Sequence, residues 1–139
     1  MELTANAIQT VAAGANVIFT DTTVCGNCSI MHREGSGLVT LRGLTNQCRA
    51  RFRVSFGGNI ALPTGGTVGP ISLAIAVNGE PVATTTMIST PAAVEEFNNV
   101  FSAIFLDIPK GCCSQISVRN TSDQPIDVQN ANFIVERVA

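Results

Sequence analysis

The stretch Arg49-Ala50-Arg51-Phe52-Arg53-Val54-Ser55-Phe56 alternates polar and apolar side chains without interruption. Successive side chains of a β-strand point to opposite faces, so this period of two predicts a half-buried strand. One face carries Ala50 and three larger apolar residues, and the other carries Arg49, Arg51, Arg53 and Ser55. The Gly57-Gly58 pair that follows predicts a bulge or bend in the chain.

A second strand is predicted over Ile71–Val77, where large residues at odd positions alternate with Ser or Ala. Those small residues permit close approach by another sheet or another subunit. Asn78-Gly79 comes directly afterwards and is a strong signal for a tight hairpin, because both turn positions need a positive φ. The return strand is then expected over Val82–Ile88.

The same period of two recurs along most of the chain, and a helical period is almost absent. About eight short strands at this spacing predict an all-β sandwich or jelly roll in a single domain, residues 1–139. One helical turn is expected over Pro91–Phe97, capped by Thr90. The remaining predicted strands are Asn16–Thr20, Gly37–Arg42, Val100–Ile108, Ser114–Asn120 and Ala131–Val138.

Charged residues make up 13% of the 139 residues, about half the usual quarter. So few charges hint that another chain covers part of the surface. Eight basic and ten acidic residues give a net charge of -2, which offers no field for a nucleic acid backbone. No apolar stretch approaches the roughly 20 residues that cross a bilayer, and the N-terminus lacks the pattern of a signal peptide. We expect neither nucleic acid nor membrane as a partner, and no export by an N-terminal signal.

Several segments, in this order and spacing, resemble the jelly-roll domains of collagen-like bacterial spore-surface glycoproteins and of small stand-alone bacteriophage proteins. The resemblance extends from about Ala7 to the last residue. It is carried by Gly35-Ser36-Gly37-Leu38-Val39-Thr40-Leu41-Arg42-Gly43, by Arg51-Phe52-Arg53-Val54-Ser55-Phe56, by Ile108-Pro109-Lys110-Gly111 with Ile116-Ser117-Val118-Arg119-Asn120, and by Ala131-Asn132-Phe133-Ile134-Val135-Glu136-Arg137.

This resemblance implies a two-sheet antiparallel jelly roll like those of tumour necrosis factor and the complement globular heads, assembled as a homotrimer. It also implies a structural or binding role at the outside of a particle. Because no Gly-X-Y tract precedes the domain, the chain is more similar to a virion component made in the host cytoplasm. The expected function is a non-enzymatic capsid decoration or head-fibre protein, with the major capsid protein or another virion component as its partner. The alternative is a phage-fibre, bacterial or spore-surface module that binds a glycan or cell-surface ligand.

Both alternating sets of Val100–Ile108 contain large apolar residues, and the same holds near the C-terminus. A strand in a two-layer sandwich should have one polar face unless something covers it. We therefore predict a subunit interface that contains Val100, Ser102, Ile104, Leu106, Ile134 and Val138.

The five cysteines leave several alternatives open. Cys25 and Cys28, with His32 four residues on, have the spacing of half a zinc site, although no cofactor is expected overall. The simpler interpretation is loop cysteines, either free or in a disulfide between the Cys25/Cys28 turn and the Cys112/Cys113 turn. Cys48 is expected to be a small buried residue.

The densest charge feature is the row of Arg49, Arg51 and Arg53 on one face of one strand. This row could dock an acidic partner surface, or it could be a soluble outer face paired with Glu136 and Glu80. No catalytic group is predicted, because His32 is the only histidine and has no identifiable orienting partner.

Overall fold

The computed structural model describes residues 1–26 and 28–139. It confirms the all-β class. No helix among these residues is long and apolar enough to cross a membrane, and a short 3-10 helix occupies Ala83–Thr85. The strands are β1 Glu2–Ala5, β2 Gln9–Val11, β3 Asp21–Val24, β4 Ile30–His32, β5 Val39–Arg42, β6 Arg49–Ala61, β7 Ile71–Val77, β8 Glu80–Pro81, β9 Met87–Ser89, β10 Asn98–Pro109, β11 Cys113–Asn120 and β12 Ile126–Arg137.

The strands form two antiparallel sheets. Sheet I has the order β10-β6-β12-β1-β3, with β2 also paired to β12. Sheet II has the order β4-β5-β11-β7-β8, with β9 also paired to β7. Strand β10 is therefore an edge strand of sheet I, next to the long central strand β6.

The core lies between the sheets and confirms the alternation of β6. Ala50, Phe52, Val54 and Phe56 are completely buried, whereas the arginines between them reach solvent. Phe19 stacks on Phe133 with a ring-centroid distance of 5.2 Å, and Phe56 meets both rings edge to face. This aromatic cluster joins sheet I to the segment that precedes β3.

That segment, Asn16–Thr20, was expected as a strand, and this expectation is wrong. The segment is extended, but it crosses from one sheet to the other and so pairs with neither over its length. Val17 N–H donates to Val118 O of sheet II, and Thr20 N–H donates to Thr4 O of sheet I. Between them, the Gln9 side-chain amide bonds both the N–H and the carbonyl of Ile18, as a neighbouring strand would.

The Asn78-Gly79 hairpin is confirmed, with φ values of 52° and 86°. The return strand over Val82–Ile88 is wrong, because only Glu80–Pro81 pairs with β7 before the 3-10 helix intervenes. The Val82 N–H still donates to Ile75 O at 2.9 Å, and pairing with β7 resumes at β9, Met87–Ser89. The Thr85 hydroxyl then takes the place of a strand backbone, accepting the Ile75 N–H at 2.9 Å.

Two smaller expectations are also corrected. Gly57 and Gly58 continue β6 in register with β10, and the bulge lies in the facing strand β12, between Gln129 and Asn132. Gly58 lies beside this bulge, where a Cβ would be 3.4 Å from Ala131 Cα, an ordinary van der Waals contact. Residues 91–97 form irregular turns rather than a helical one, and the Glu95 N–H donates to Leu62 O instead of to a helical carbonyl.

The small-residue face of β7 needs no second subunit. Ala74 and Ala76 are completely buried by the chain itself. Arg119, opposite Ala74 in register, extends toward the hairpin turn and donates to Gly79 O at 2.8 Å. The outer face of sheet II is thus covered locally by a long side chain of the same molecule.

At Gly43, the loop after β5 packs tightly on the turn between β10 and β11. A Cβ at this position would lie 2.1 Å from the carbonyl oxygen of Pro109, so Gly43→Ala must separate the two segments. We expect the free energy of unfolding to fall by about 2–4 kcal/mol, measured by chemical denaturation. Gly69→Ala is the matched control, because nothing lies within 4 Å of its Cβ position, and it should change stability by less than about 0.5 kcal/mol. Equal effects of the two substitutions would contradict this packing.

Candidate subunit interface

The candidate site is the outer face of sheet I, the face turned away from the core. Register places its side chains in rows that run from β10 to β3. One row contains Phe101, Gly57, Asn132, Thr4 and Asp21, and the next contains Ala103, Ser55, Ile134, Glu2 and Val24. The outer face is therefore aromatic at the β10 edge and acidic at the β3 edge.

The aromatic edge corrects the predicted interface residues on β10. Val100 and Ile108 are buried, and the side chains of Ile104 and Leu106 pack against the core. Val100, Ser102, Ile104 and Leu106 thus belong to the core-facing set. The outward set contains Phe101, Ala103 and Phe105, and the two phenylalanines are 64% and 62% exposed.

The floor beside this edge is made of small residues. Ser55 lies between Ala103 and Ile134, and Gly57 lies between Phe101 and Asn132. A Cβ on Gly57 would lie 3.5 Å from the Phe101 ring. Ile134 and Val138 are exposed on or beside this surface, as expected from the sequence. Their role in a subunit contact stays a prediction.

The arginine row lies at one end of the outer face and is held by two carboxylates. Arg51 is bidentate on Asp107, with Nε–Oδ1 at 2.8 Å and Nη2–Oδ2 at 3.0 Å, and Arg49 Nε lies 3.1 Å from the same carboxylate. Arg53 pairs with Glu136 at 3.5 Å. The predicted partner Glu136 is confirmed, whereas Asp107 stands where Glu80 was expected.

These contacts set the protonation of the pair. The hydrogen bonds from Arg51 are the main reason that the pKa of Asp107 is lowered, and the charges of Arg51 and Arg49 add to the effect. The same contact raises the pKa of Arg51. Two guanidinium groups share one carboxylate, so this corner of the surface keeps an excess of positive charge.

The opposite edge is acidic. Glu2 accepts hydrogen bonds from the Asn132 amide and the Thr23 hydroxyl, both at 2.8 Å, and these bonds lower the pKa of Glu2. Asp21 is exposed on the neighbouring strand β3. Across residues 1–26 and 28–139, neither carboxylate forms a salt bridge with a side chain.

The five cysteines are all free and exposed, including Cys48, which was expected to be buried. Ser29 O accepts the Arg42 N–H, and Arg42 lies opposite Cys113, so strand β5 separates the Cys25/Cys28 turn from the Cys112/Cys113 turn. Two strand spacings, about 9–10 Å, exceed the roughly 7 Å that a disulfide can bridge. This spacing favours free thiols at Cys28 and Cys112 or Cys113.

The predicted half zinc site gains no further ligands. Within the described part of the chain, no group of three or more His, Cys, Asp or Glu residues is placed to hold a metal ion. His32 instead packs edge to face on Phe19, and its Nε2 lies 2.9 Å from Ser36 O. The histidine thus fastens the β4–β5 turn to the core.

The geometry matches solved structures of similar architecture. The globular domain of zebrafish complement 1qA protein is 14% identical, with 99% of this chain and 95% of that chain covered at a TM-score of 0.71. Murine APRIL at pH 8.5 is 10% identical, with 97% of each chain covered at a TM-score of 0.63. The chain is a tumour-necrosis-factor-like jelly roll. At such low identity the likeness concerns the fold alone, and neither a protein-family model nor a curated protein sequence matches the chain.

Three residues of the candidate interface were not predicted from the sequence. Phe101 and Phe105 stood in a strand with two apolar faces, and alternation alone did not show which face turns outward. Asp107 is not singled out by the sequence, because its partners Arg49 and Arg51 become neighbours only through the pairing of β6 with β10. An antiparallel register between these two strands was the signal that could have found it.

The Asp107 contact predicts a pH effect. A lowered pKa in the folded state stabilises the fold above the ordinary aspartate value near 3.9, and the contribution is lost as the pH falls through the lowered folded-state value. Arg51→Gln should raise the pKa of Asp107 toward its ordinary value, as followed by carboxyl-carbon NMR. Arg53→Gln is the matched control, since Arg53 pairs with Glu136. Identical titrations of Asp107 in the two variants would refute the assigned pairing.

Proposed function

We propose that this jelly roll is a non-enzymatic structural protein of a phage particle, a homotrimer that acts as a capsid decoration or head-fibre protein. The resemblance to small stand-alone bacteriophage proteins supports the assignment to a phage particle. The outer face of sheet I supports self-association. The major capsid protein or another virion component is the proposed partner, and the virion is the proposed location.

The observation that carries the proposal is the exposure of Phe101 and Phe105 on an edge strand. An edge strand presents unpaired N–H and carbonyl groups, and exposed apolar side chains make it prone to uncontrolled association. Natural proteins cover or charge such edges. Here the outward side chains between Asn99 and Asp107 are all apolar: Phe101, Ala103 and Phe105. We therefore expect another chain to cover this edge.

Burial of these rings supplies a sizeable driving force. Each phenylalanine taken fully out of water contributes about 1.5–3 kcal/mol. The surrounding rows of small and amide side chains extend the contact surface toward β12 and β1. A total buried area above about 1,000 Å² is expected, which is the usual threshold for a specific contact.

The mechanism of such a protein is mechanical. A rigid trimer brings three identical copies of its free loops and of the outer face of sheet II to a particle surface. The many small contacts of a symmetric trimer reinforce one another when the partner surface has threefold symmetry. Binding then braces neighbouring partner subunits without any chemical step.

Oligomeric state tests self-association. We expect the wild-type protein to sediment as a trimer at micromolar concentration and the variant Phe101→Ser/Phe105→Ser to sediment as a folded monomer. Ile88→Ser is the matched control, because Ile88 is 68% exposed but lies on sheet II, and it should stay trimeric. A stable wild-type monomer would overturn the proposal.

The genes that flank this one test the particle assignment. We expect genes for a major capsid protein or other virion components beside it, and the chain should be present in purified virions by mass spectrometry. Flanking genes for collagen-like or spore-coat proteins would place it on a bacterial surface instead. Binding to a glycan array with micromolar affinity would support the ligand-binding alternative, although the chain has no Trp or Tyr for stacking on sugar rings.

A further inference from the structure

We propose that the subunits join head to tail, with Phe101 of one copy seated in an apolar groove at the opposite edge of sheet I in the next copy and Phe105, about 13 Å further along the strand, packed on the outer face beside that groove. This inference rests on the proposed homotrimer and names the two surfaces that meet. The groove is lined by Ala5, Ala7, Ile8, Gln9, Ile18 and Thr20.

The groove lies where the end of β1 and the start of β2 meet the crossing segment 16–20. Ile8 and Ile18 form exposed apolar walls, with 55% and 45% of their surface open to solvent. The backbone of Ile18 does not compete for an incoming group, because the Gln9 amide already bonds its N–H at 2.9 Å and its carbonyl at 2.8 Å. What remains open is an apolar surface without unsatisfied backbone groups at Ile18.

The size of the groove fits an aromatic ring. Its volume is about 300 Å³. An apolar cavity of about 150 Å³ already accepts benzene, so a phenylalanine side chain can enter with room for the flanking strand. The exposed rings of Phe101 and Phe105 are the largest apolar groups that another copy offers on its outer face.

The positions of ring and groove determine the kind of assembly. The rings lie on β10 at one edge of sheet I, and the groove lies beyond β1 near the other edge. A contact between two different surfaces of the same chain is heterologous, and it generates a closed ring when the rotation closes. Three copies related by a threefold axis would each use one aromatic edge and one groove.

Charge favours the same pairing. The β10–β6 edge carries Arg49, Arg51 and Arg53, and within residues 1–26 and 28–139 these three arginines pair with two carboxylates, Asp107 and Glu136. The groove edge carries Asp21, next to the lining residue Thr20, together with Glu2 on the adjacent strand. A basic edge that approaches an acidic edge is attracted, whereas two β10 edges placed face to face would bring the two arginine rows together.

The experiment blocks the groove and the rings separately. Ala7→Trp fills the groove from an exposed position, and Phe101→Ser/Phe105→Ser removes the rings. Each variant should weaken trimer formation by at least roughly 30-fold, the effect expected of interface hot spots, in sedimentation equilibrium. Ile88→Trp is the control for an added exposed tryptophan, and it should assemble as the wild type does.

Mixing the two variants identifies the geometry. The Ala7→Trp chain keeps its rings and the serine double variant keeps its groove, so one intact contact forms between them. We expect a 1:1 heterodimer from the mixture and monomers from each variant alone. Circular dichroism and thermal unfolding of both variants check the fold, and Ile18→Asp provides a second block of the groove, with Val68→Asp as its exposed control.

The outcomes separate this inference from the proposed function. A wild-type trimer with normal assembly of both Ala7→Trp and Ile18→Asp overturns the seating of the ring in the groove and leaves the homotrimer standing, with the rings packed on another surface of the next copy. A wild-type monomer overturns both. A folded serine variant that still forms trimers shows that the rings do not carry the contact.

Discussion

The antiparallel pairing of β6 with β10 is the constraint on which the outer face depends. It runs without a break from Arg49 opposite Pro109 to Ile60 opposite Asn98. Since a slip of one residue would turn every side chain to the other face, the buried set of Phe52, Val54 and Phe56 fixes the register by its own burial. The same register brings Asp107 to Arg51 and aligns Phe101 with Gly57. Packing in the core thereby determines which side chains are neighbours on the outer face of sheet I.

The sequence revealed much of the fold where a strand has one polar face. The alternation over Arg49–Phe56 and the Asn78-Gly79 turn both predicted local structure correctly, because burial and positive φ act on single residues. Prediction was wrong where a side chain nine or ten residues away along the chain replaces the backbone of a neighbouring strand. The Thr85 hydroxyl replaces a strand between Val82 and Ile88, and the Gln9 amide replaces one beside Ile18.

The candidate interface likewise has one feature that the sequence predicts and one that it does not. An apolar excess over Val100–Ile108 was visible in the sequence, and it correctly indicated a strand with two apolar faces. Which face turns outward depends on the opposite sheet, since Ile104 and Leu106 pack against the core that the two sheets enclose. The two sheets also treat their outer faces differently. On sheet II, Ala74 and Ala76 are buried and Arg119 reaches across to Gly79 O, while Phe101 and Phe105 on sheet I stay largely exposed.

Strand β5 lies between the Cys25/Cys28 turn and the Cys112/Cys113 turn, and this placement makes the fold independent of a disulfide between them. Strand spacing keeps Cys28 away from Cys112 and Cys113, so the fold is complete without any cross-link. Its stability comes from the aromatic cluster and the strand ladders, which respond to neither glutathione nor dissolved oxygen. A reducing agent should therefore leave the shape of the domain unchanged.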